Sequence, residues 1–409
     1  MRKYFNVTGL CTPDKHYMVD ISRKLVQIQR LVDRGFYFTI NRARQYGKTT
    51  TLVALEKTLA DRYLVIRLDF QVLSSASFQN ENTFSLAFAS CFLKAVWIAD
   101  KESAADSTAL AELCKREGER DCGLDLRRLF QLLQNFCESL QKPVVLMIDE
   151  VDSAANNQVF LDFLAQLRYY YLERAAQNSA AFHSVILAGV YDVKNLKRKL
   201  RGDEEHKTNS PWNIAADFDV DMSFDVDDIA GMLQAYESDV QTGMDIGKMA
   251  ALLYEYTSGY PFLVSRLCMM MDEKLGKESG FASEKEVWTK EGFLAAVRML
   301  LMEKNTLFES LLDKMEAYPS LKQMLRELLF AGKEISYNAL DPSIALALMF
   351  GFVKKQNHAV VPANRIFDTL LYNFFLSQQE TQGEEISLAS QKDKNQFVLD
   401  EKTLIEAVV

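Results

Sequence analysis

A short apolar stretch that runs into a Gly-Lys-Thr-Thr sequence restricts the fold of this chain more than any other feature. Residues 35–40 read GFYFTI, a polar segment follows, and the tetrapeptide at 47–50 then opens a helical pattern. A strand, a tight loop and a helix N-terminus in this order make a phosphate site, because backbone N–H groups and the positive end of the helix dipole attract the anion. A chance tetrapeptide on a surface turn would not account for the flanking patterns. We therefore expect nucleotide binding at this loop.

The residue types of the loop match individual tasks in phosphate binding. Gly47 lets the backbone approach closely, Lys48 reaches the β- and γ-phosphates, and the hydroxyl group of Thr49 ligates Mg²⁺. The usual loop opens with a glycine five residues before Gly47, whereas this chain has Arg42 there. Arg42 and Arg44 would therefore either reshape the loop or add positive charge near the phosphates. The loop residues predicted to bind nucleotide are Arg42, Ala43, Arg44, Gln45, Tyr46, Gly47, Lys48, Thr49 and Thr50.

A second apolar stretch ends in two carboxylates about a hundred residues after the loop. Residues 143–148 read PVVLMI and are followed directly by Asp149 and Glu150. Parallel α/β sheets bind ligands at the carboxyl ends of their strands, so we expect these acids beside the loop rather than on a solvated turn. Asp149 would hold Mg²⁺ through water or through Thr49, and Glu150 would orient and deprotonate the attacking water. Asp152 is a weaker candidate for the same site, and a helix N-cap is the favoured interpretation of this residue.

Apolar runs alternate with amphipathic ones along the first 225 residues. Strands that are apolar on both faces and separated by helices are typical of a parallel sheet with helices on both faces. The predicted fold is therefore the α/β fold of P-loop NTPases. The strand segments are 35–40, 63–70, 143–148 and 184–190, and the helical segments are 50–60, 83–98, 124–140 and 159–176.

After residue 225 the strand patterns give way to helical spacing. Helices at 320–330 and 339–349, followed by a hairpin around 356–358, are the outline of a winged helix. The last thirty or so residues are acidic with few aromatics, which indicates a flexible connector that looks cut off rather than finished. The predicted domains are a P-loop ATPase core at 1–225, a helical lid at 226–283, a winged-helix domain at 284–378 and a linker or truncated segment at 379–409.

The strand at 184–190 leads into two features whose roles stay open. Tyr191 and Asp192 would either sense the γ-phosphate or form an ordinary turn at the strand end. The basic run that follows is a solvated helix in the favoured interpretation, with a phosphate-sensing arginine or a nucleic-acid contact as the alternative. Its basic residues are Lys194, Lys197, Arg198, Lys199 and Arg201.

Charge and composition exclude several classes of protein. The net charge of -9 argues against a surface coated with nucleic acid, although it allows a local basic patch. The six cysteines form no CxxC pair, so reduced thiols in a cytoplasmic protein are expected. The polar N-terminus lacks a secretory signal, and we expect no apolar run of the roughly 18–20 residues that span a bilayer.

Taken in order, six segments resemble the AAA-like ATPases of bacteria and archaea, within the wider group of STAND NTPases. They read HYMVDI, YFTINRARQYGKTTTL, LMIDEVD, ILAGVYDVKNL, SPWNIAADFDVDMSF and SGYPFLVSRLC, and they lie between about residues 16 and 275. The resemblance implies ATP as the nucleotide, a lid after the core, and a homo-oligomer in which a neighbouring subunit completes the site with an arginine.

The same resemblance implies a contact with adenine at Pro261, with Ser258, Tyr260 and Arg266 nearby. The arginine would also reach the γ-phosphate. A purely local interpretation is that Pro261 is the first residue of a helix, and both interpretations are compatible. In many relatives a nuclease-like domain of the PD-(D/E)xK type follows. Because no D…ExK pattern on a strand precedes Val409, we expect no nuclease activity from these residues.

The favoured function is an ATP-driven switch that couples nucleotide state to the lid, the winged helix and a partner or effector domain, in defence or stress signalling. One alternative is a DNA-binding ATPase whose winged helix uses Lys354, Lys355 and Arg365 on DNA phosphates. Another is a nucleotide-binding module without turnover, against which the two acids argue. The predicted catalytic residues are Lys48 and Glu150, and the predicted ligands of Mg²⁺ are Thr49 and Asp149.

Overall fold

A computed structural model describes residues 2–100, 111–112, 123–191, 212–276, 281, 283–330 and 334–382. Internal contacts divide the chain into two units. The sheet unit consists of Gly9–Thr12 and Asp20–Met222, and the helical unit consists of Met1–Thr8, Pro13–Val19 and Ser223–Val409. The predicted domain boundaries stay predictions.

Four parallel strands form the centre of the sheet unit. They are β1 (Tyr37–Asn41), β2 (Leu64–Asp69), β3 (Val144–Asp149) and β4 (Ser184–Gly189), in the spatial order β1-β4-β3-β2. Every predicted strand is present, with its ends shifted by a few residues. Because β4 lies between β1 and β3, it adjoins both the strand before the phosphate loop and the strand before the acids. The parallel α/β sheet predicted from sequence is confirmed.

Helices cover both faces of this sheet. They are α1 (Ser22–Asp33), α2 (Lys48–Leu59), α3 (Glu81–Ala99), α4 (Leu126–Ser139) and α5 (Gln158–Gln177). Successive strand residues point to opposite faces, so each strand feeds two apolar cores. In β3, Leu146 and Ile148 pack with α3, α4 and α5, whereas Val145 and Met147 pack with α1 and α2. This double burial explains why successive residues of β3 before Asp149 are all apolar.

Helix α3 is long and apolar enough to cross a membrane by length and composition, which the sequence analysis did not expect. Its Phe84, Phe88 and Phe92 are fully buried in the core that α3 shares with the sheet. The core helix of a protein can have the same length and composition as a membrane span, and 44% of the apolar stretch of α3 is buried. Packing against the sheet therefore accounts for the buried apolar residues of α3.

The segment of residues 212–220, close to the end of the sheet unit, lies along the outer edge of β1. Ala216 donates its backbone N–H to the carbonyl oxygen of Tyr37 at 2.8 Å. The indole of Trp212 donates to the Thr39 hydroxyl group at 2.8 Å, and the ring of Phe218 stacks on Phe38 with centroids 5.9 Å apart. These contacts attach the segment to β1 both through the backbone and through side chains.

The helical unit begins with two N-terminal stretches that pack on a distant aromatic cluster. The rings of Phe5 and Tyr17 lie 5.1 and 5.2 Å from the ring of Tyr236, between centroids. The helices are α6 (Val226–Val240), α7 (Ile246–Thr257), α8 (Pro261–Met269), α9 (Glu284–Val287), α10 (Lys290–Met302), α11 (Thr306–Ala317), α12 (Pro319–Phe330), α13 (Pro342–Phe350) and α14 (Arg365–Gln382). A π-helical segment, Met270–Leu275, extends α8.

Three short antiparallel strands accompany the later helices. They are β5 (Ile335–Ser336), β6 (Val353–Gln356) and β7 (Ala359–Pro362), in the order β5-β7-β6. The chain thus passes from α12 through β5 to α13, then through the β6–β7 hairpin to α14. Helices and a hairpin occur near the predicted positions, and the assignment of this part as a winged helix stays a prediction.

Two segments of the helical unit pass unusually close to each other at Gly259. The backbone of Gly259 has a φ of 70°, and Phe224 donates its N–H to the Gly259 carbonyl oxygen at 2.9 Å. A Cβ atom placed on Gly259 would lie 1.9 Å from the carbonyl oxygen of Phe224. Both the left-handed backbone and the lack of space therefore require glycine here.

We expect Gly259→Ala to lower the free energy of unfolding of the helical unit by roughly 2–4 kcal/mol, because it combines a left-handed alanine with a backbone clash. Hydrogen exchange at the amides of α6 and α7 would measure the change within this unit. The matched control is Gly231→Ala in α6, where an added Cβ meets no atom within 4 Å. A helical alanine there should raise stability by up to about 1 kcal/mol. Equal protection in the two variants would contradict the close approach.

Candidate active site

The loop after β1 reverses the chain through two left-handed residues. Gln45 has a φ of 58°, and Gly47, the N-cap of α2, has a φ of 77°. Glycine has no side chain that could cap the helix, so the first N–H groups of α2 keep their capacity to bind a ligand. Together with the helix dipole, this geometry suits an anion at the start of α2.

Lys48 is the first residue of α2 and is only 8% exposed. Its ammonium group donates to the carbonyl oxygens of Arg42 and Ala43 at 3.0 and 3.1 Å. Burial lowers the pKa of Lys48, while the charges of Asp152, Glu150 and Asp149 oppose that shift. The lysine is therefore folded over its own loop, within electrostatic range of Asp149 at the end of β3 and of the two acids in the turn after it.

Thr49 and Asp149 meet although a hundred residues separate them. The Thr49 hydroxyl group donates to Oδ2 of Asp149 at 2.7 Å, and Asp149 is 2% exposed. A hydroxyl and a carboxylate are oxygen donors of the kind that Mg²⁺ takes, and this ion keeps several waters besides. Within the described ranges no group of three or more His, Cys, Asp or Glu side chains is arranged around a metal position. The pair fits a Mg²⁺ ion whose other ligands are phosphate and water oxygens.

Glu150 lies at a sharp turn at the end of β3. Its φ of 53° is left-handed, which is uncommon for a residue with a side chain and frequent at functional sites. Its N–H donates to Oδ1 of the preceding Asp149 at 3.0 Å. Burial raises the pKa of Glu150; the charge of Lys48 opposes this shift, and the neighbouring acids add to it. Glu150 is thus a half-buried carboxylate beside a lysine.

The guanidinium group of Arg42 contacts other residues of the protein rather than solvent alone. Nη2 donates to the carbonyl oxygen of Val220 at 2.7 Å, and the group lies 5.1 Å from the ring centroid of Phe218. Its backbone N–H donates to the Gly189 carbonyl oxygen at 3.1 Å, and burial lowers the pKa of Arg42. The guanidinium group of Arg42 therefore braces the loop against the segment along β1, and a contact of Arg42 with the phosphates stays a prediction.

The remaining loop residues differ in exposure. Ala43 is buried, Arg44 is exposed, and Tyr46 packs at the margin of the core under α1 and α2. The Thr50 hydroxyl group accepts the N–H of Cys11 at 3.3 Å, so residues 9–12 lie beside the first turn of α2. The assignment of residues 42–50 to nucleotide binding stays a prediction.

Asp152 has a different role from the helix N-cap expected from sequence. Its carboxylate accepts the N–H groups of Val190 and Tyr191 at 2.6 and 2.9 Å, and Glu150 is the N-cap of the 3₁₀ turn Val151–Ser153. Tyr191 is partly buried against the sheet core. Asp192 and the basic residues at 194–201 lie outside the described residues. The role of Asp152 depends on a strand that is distant in sequence, so local pattern could not find it.

Sequence reasoning also missed Asp69, which is the last residue of β2. Asp69 lies in register with Asp149, and its side chain accepts the N–H of Gln71 at 2.8 Å. Its negative charge contributes to the raised pKa of Glu150. A carboxylate at the end of an apolar strand was the same signal that identified Asp149, and it could have identified Asp69.

The residues expected near adenine belong to the helical unit. Pro261 is the first residue of α8 and is buried, which agrees with the local interpretation of a helix start. Arg266 forms a bidentate ion pair with Glu303, with Nε 3.0 Å from Oε2. Ser258 accepts a hydrogen bond from Lys354 at 2.8 Å. Arg266 therefore has a carboxylate partner within its own unit, and the adenine contact at Pro261 stays a prediction.

Most of the chain matches a known protein family. The model of one family, described as an AAA-like domain, matches residues 14–375. The chain belongs to the AAA-like domain family. This membership confirms the resemblance to AAA-like P-loop ATPases, whereas the assignment to the STAND group stays a prediction. A search of curated proteins finds no match to this AAA-like protein.

Solved structures of archaeal proteins align with most of this chain. The Walker-type ATPase PABY2304 of Pyrococcus abyssi aligns with a TM-score of 0.58 and 13% identity over 90% of this chain and 99% of that one. Cdc6p from Pyrobaculum aerophilum aligns with a TM-score of 0.41 and 12% identity over 91% of this chain and 97% of that one. The Aeropyrum pernix ORC2 protein in its ADP form has a TM-score of 0.43, 12% identity and the same coverage. Only the first likeness is strong enough to support the P-loop ATPase fold.

Proposed function

We propose that this AAA-like protein binds ATP with Mg²⁺ at residues 42–50 and hydrolyses it with Glu150 as the base. The observation that carries the proposal is the 2.7 Å hydrogen bond between Thr49 and Asp149. It joins the phosphate-loop helix to the acidic strand end at the edge where parallel α/β sheets bind ligands. Lys48 is buried beside the same acids, so cationic, hydroxyl and carboxylate groups converge at one place.

Each group then has one task in the reaction. Lys48 leaves the loop carbonyl oxygens for oxygens of the β- and γ-phosphates, and the N–H groups of α2 bind the remaining phosphate charge. Thr49 and Asp149 hold Mg²⁺, which neutralises charge on the phosphates when bound. Glu150 orients a water molecule and accepts its proton as the oxygen attacks the γ-phosphorus and the bond to the β-phosphate breaks.

The switch function has support from the contacts of Arg42. This one residue joins the phosphate loop, the carbonyl oxygen at the end of β4 and the carbonyl oxygen of Val220. Val220 lies just before Ser223, where the helical unit resumes in sequence. A loop that rearranges on ATP binding would therefore pull on the segment that leads into the proposed lid. The remaining parts of the proposal rest on the sequence alone: partner coupling, a homo-oligomer, an effector domain, a cytoplasmic location and a role in defence or stress signalling.

The alternative of a DNA-binding ATPase has less support. The proposed winged helix at 284–378 includes α13, whose sequence PSIALALMF contains no lysine or arginine. Arg365 pairs with Glu255, and Lys354 donates to Ser258. Lys355 lies 4.4 Å from the ring centroid of Tyr337. Since these three basic residues make contacts within the protein, they are poorly placed as a ready-made phosphate patch.

The proposed function predicts a strict dependence on the metal ion. Wild-type protein should hydrolyse ATP in steady state with Mg²⁺ present, lose turnover when EDTA removes the ion, and recover it when Mg²⁺ is restored. A phosphate-release assay measures turnover, and titration with a fluorescent ATP analogue measures binding. Turnover that is insensitive to EDTA would contradict the metal site at Thr49 and Asp149. Failure to bind ATP would contradict the whole proposal.

A further inference from the structure

Asp152 connects the ends of two neighbouring strands. The turn that carries it follows β3, and its Oδ2 and Oδ1 accept the N–H groups of Val190 and Tyr191, directly after β4, at 2.6 and 2.9 Å. Hydrogen bonds from backbone N–H groups to an ionised carboxylate are stronger than bonds between neutral groups. One side chain therefore holds two successive residues of another segment.

The contact requires close packing at the end of β4. A Cβ atom placed on Gly189 would lie 2.8 Å from Oδ1 of Asp152 and 2.9 Å from Cγ2 of Val151. Only glycine leaves room for the carboxylate at this position. On the other side, the carbonyl oxygen of Gly189 accepts the N–H of Arg42 in the phosphate loop. The end of β4 is thus attached to both the acidic turn and the phosphate loop.

The turn that contains Glu150 is anchored on two sides. Toward β2, the Ser153 hydroxyl group lies 3.2 Å from the Phe70 carbonyl oxygen and 2.9 Å from the Glu150 carbonyl oxygen. Toward β4, Asp152 makes its two bonds. Glu150 sits between these anchors in a left-handed conformation, which persists only where the surroundings hold it. Loss of the β4 anchor would release one side of the turn.

We propose that Asp152 is a positioning residue for ATP hydrolysis: it holds the turn that carries Glu150 against the end of β4. The inference rests on the proposed function, because it assigns Asp152 to the step that Glu150 performs. Asp152 need not touch the nucleotide. Its task is to keep the Glu150 carboxylate at a constant distance from a γ-phosphate bound at the loop, where small displacements are costly in rate.

The test compares Asp152→Asn with wild type and with the control Asp33→Asn. Asparagine has nearly the same size, but its single amide oxygen is a poor replacement for a carboxylate that accepts two N–H groups. Asp33 lies near the amino ends of the strands, at the end of α1, where it pairs with Arg62 just before β2. We expect Asp152→Asn to lower kcat about 10–100-fold and to change the Kd for a non-hydrolysable ATP analogue by less than about threefold. Asp33→Asn should retain both values.

Hydrogen exchange supplies a readout that does not depend on activity. The amide protons of Val190 and Tyr191 should be protected in wild type and exchange at least about tenfold faster in Asp152→Asn, because their acceptor is weakened. Free exchange of both amides in wild type would overturn the inference even if the variant failed to fold. Asp152→Asn with wild-type kcat, or with a loss of affinity as large as its loss of kcat, would also overturn it.

The outcomes separate this inference from the proposed function. If wild type does not hydrolyse ATP, or if Glu150→Gln hydrolyses it at the wild-type rate, the proposed function fails. If wild type is active, Glu150→Gln is inactive and Asp152→Asn is fully active, only the role of Asp152 fails. If Asp152 merely stabilised the fold, the variant would unfold at lower temperature while its folded fraction kept the wild-type kcat.

Discussion

Lys48→Ala should abolish nucleotide binding, weakening the affinity for ATP by at least about 100-fold, because truncation leaves buried phosphate charge without its cation. The effect should be large because Lys48 is buried at the start of α2 and its ammonium group already lies over the loop. Titration with a fluorescent ATP analogue in the presence of Mg²⁺ measures the change.

Lys57→Ala is the matched control for this experiment. Lys57 lies in the last turn of the same helix and is exposed, so its removal changes the net charge by the same amount without touching the loop. We expect it to bind ATP as wild type does. If the two variants lost the same affinity, long-range charge rather than a local contact would explain the effect. If Lys48→Ala bound ATP normally, the loop would not be the nucleotide site.

Glu150→Gln should separate binding from turnover. Glutamine keeps the size of the side chain but cannot accept a proton, so we expect kcat to fall about 10²–10⁴-fold. The affinity for ATP should change by less than about threefold, because Glu150 is assigned to the attacking water rather than to the phosphates. Single-turnover hydrolysis measures the chemical step, and equilibrium titration measures binding on the same preparation.

The control for this variant is Glu138→Gln on the exposed side of α4. It should hydrolyse ATP at the wild-type rate. Wild-type turnover by Glu150→Gln would remove Glu150 from the mechanism and would direct attention to the other carboxylates at this edge, Asp69 and Asp152. Loss of both binding and turnover would indicate instead that the strained turn at Glu150 has collapsed.

The parts of the molecule that sequence predicted well are those determined by local pattern. The four strands are apolar on both faces because two helical layers bury them, and this double burial is visible in the residue types alone. The meeting of Thr49 with Asp149 was also predictable, because parallel strands direct their carboxyl ends to one edge. A loop motif and an acidic strand end are therefore sufficient to predict that these two residues meet.

The parts that sequence could not predict depend on contacts between distant residues. The side chain of Arg42 reaches Val220, which is 178 residues away, and nothing in the loop indicates that direction. The bidentate pair of Arg266 with Glu303 is a similar case, since either residue alone reads as an ordinary surface charge. The N-terminal stretches pack in the helical unit through Phe5 and Tyr17, whose partner Tyr236 lies more than two hundred residues later.

The segment along β1 also bears on how this edge of the sheet avoids pairing with strands of other molecules. An uncovered edge strand presents backbone N–H and carbonyl groups on which a strand of another molecule can assemble. In this protein Ala216 occupies that edge at Tyr37, while the rings of Trp212 and Phe218 keep the segment in place. Since Arg42 of the loop after β1 holds the same segment at Val220, the residue that braces this loop also helps to shield the sheet from aggregation.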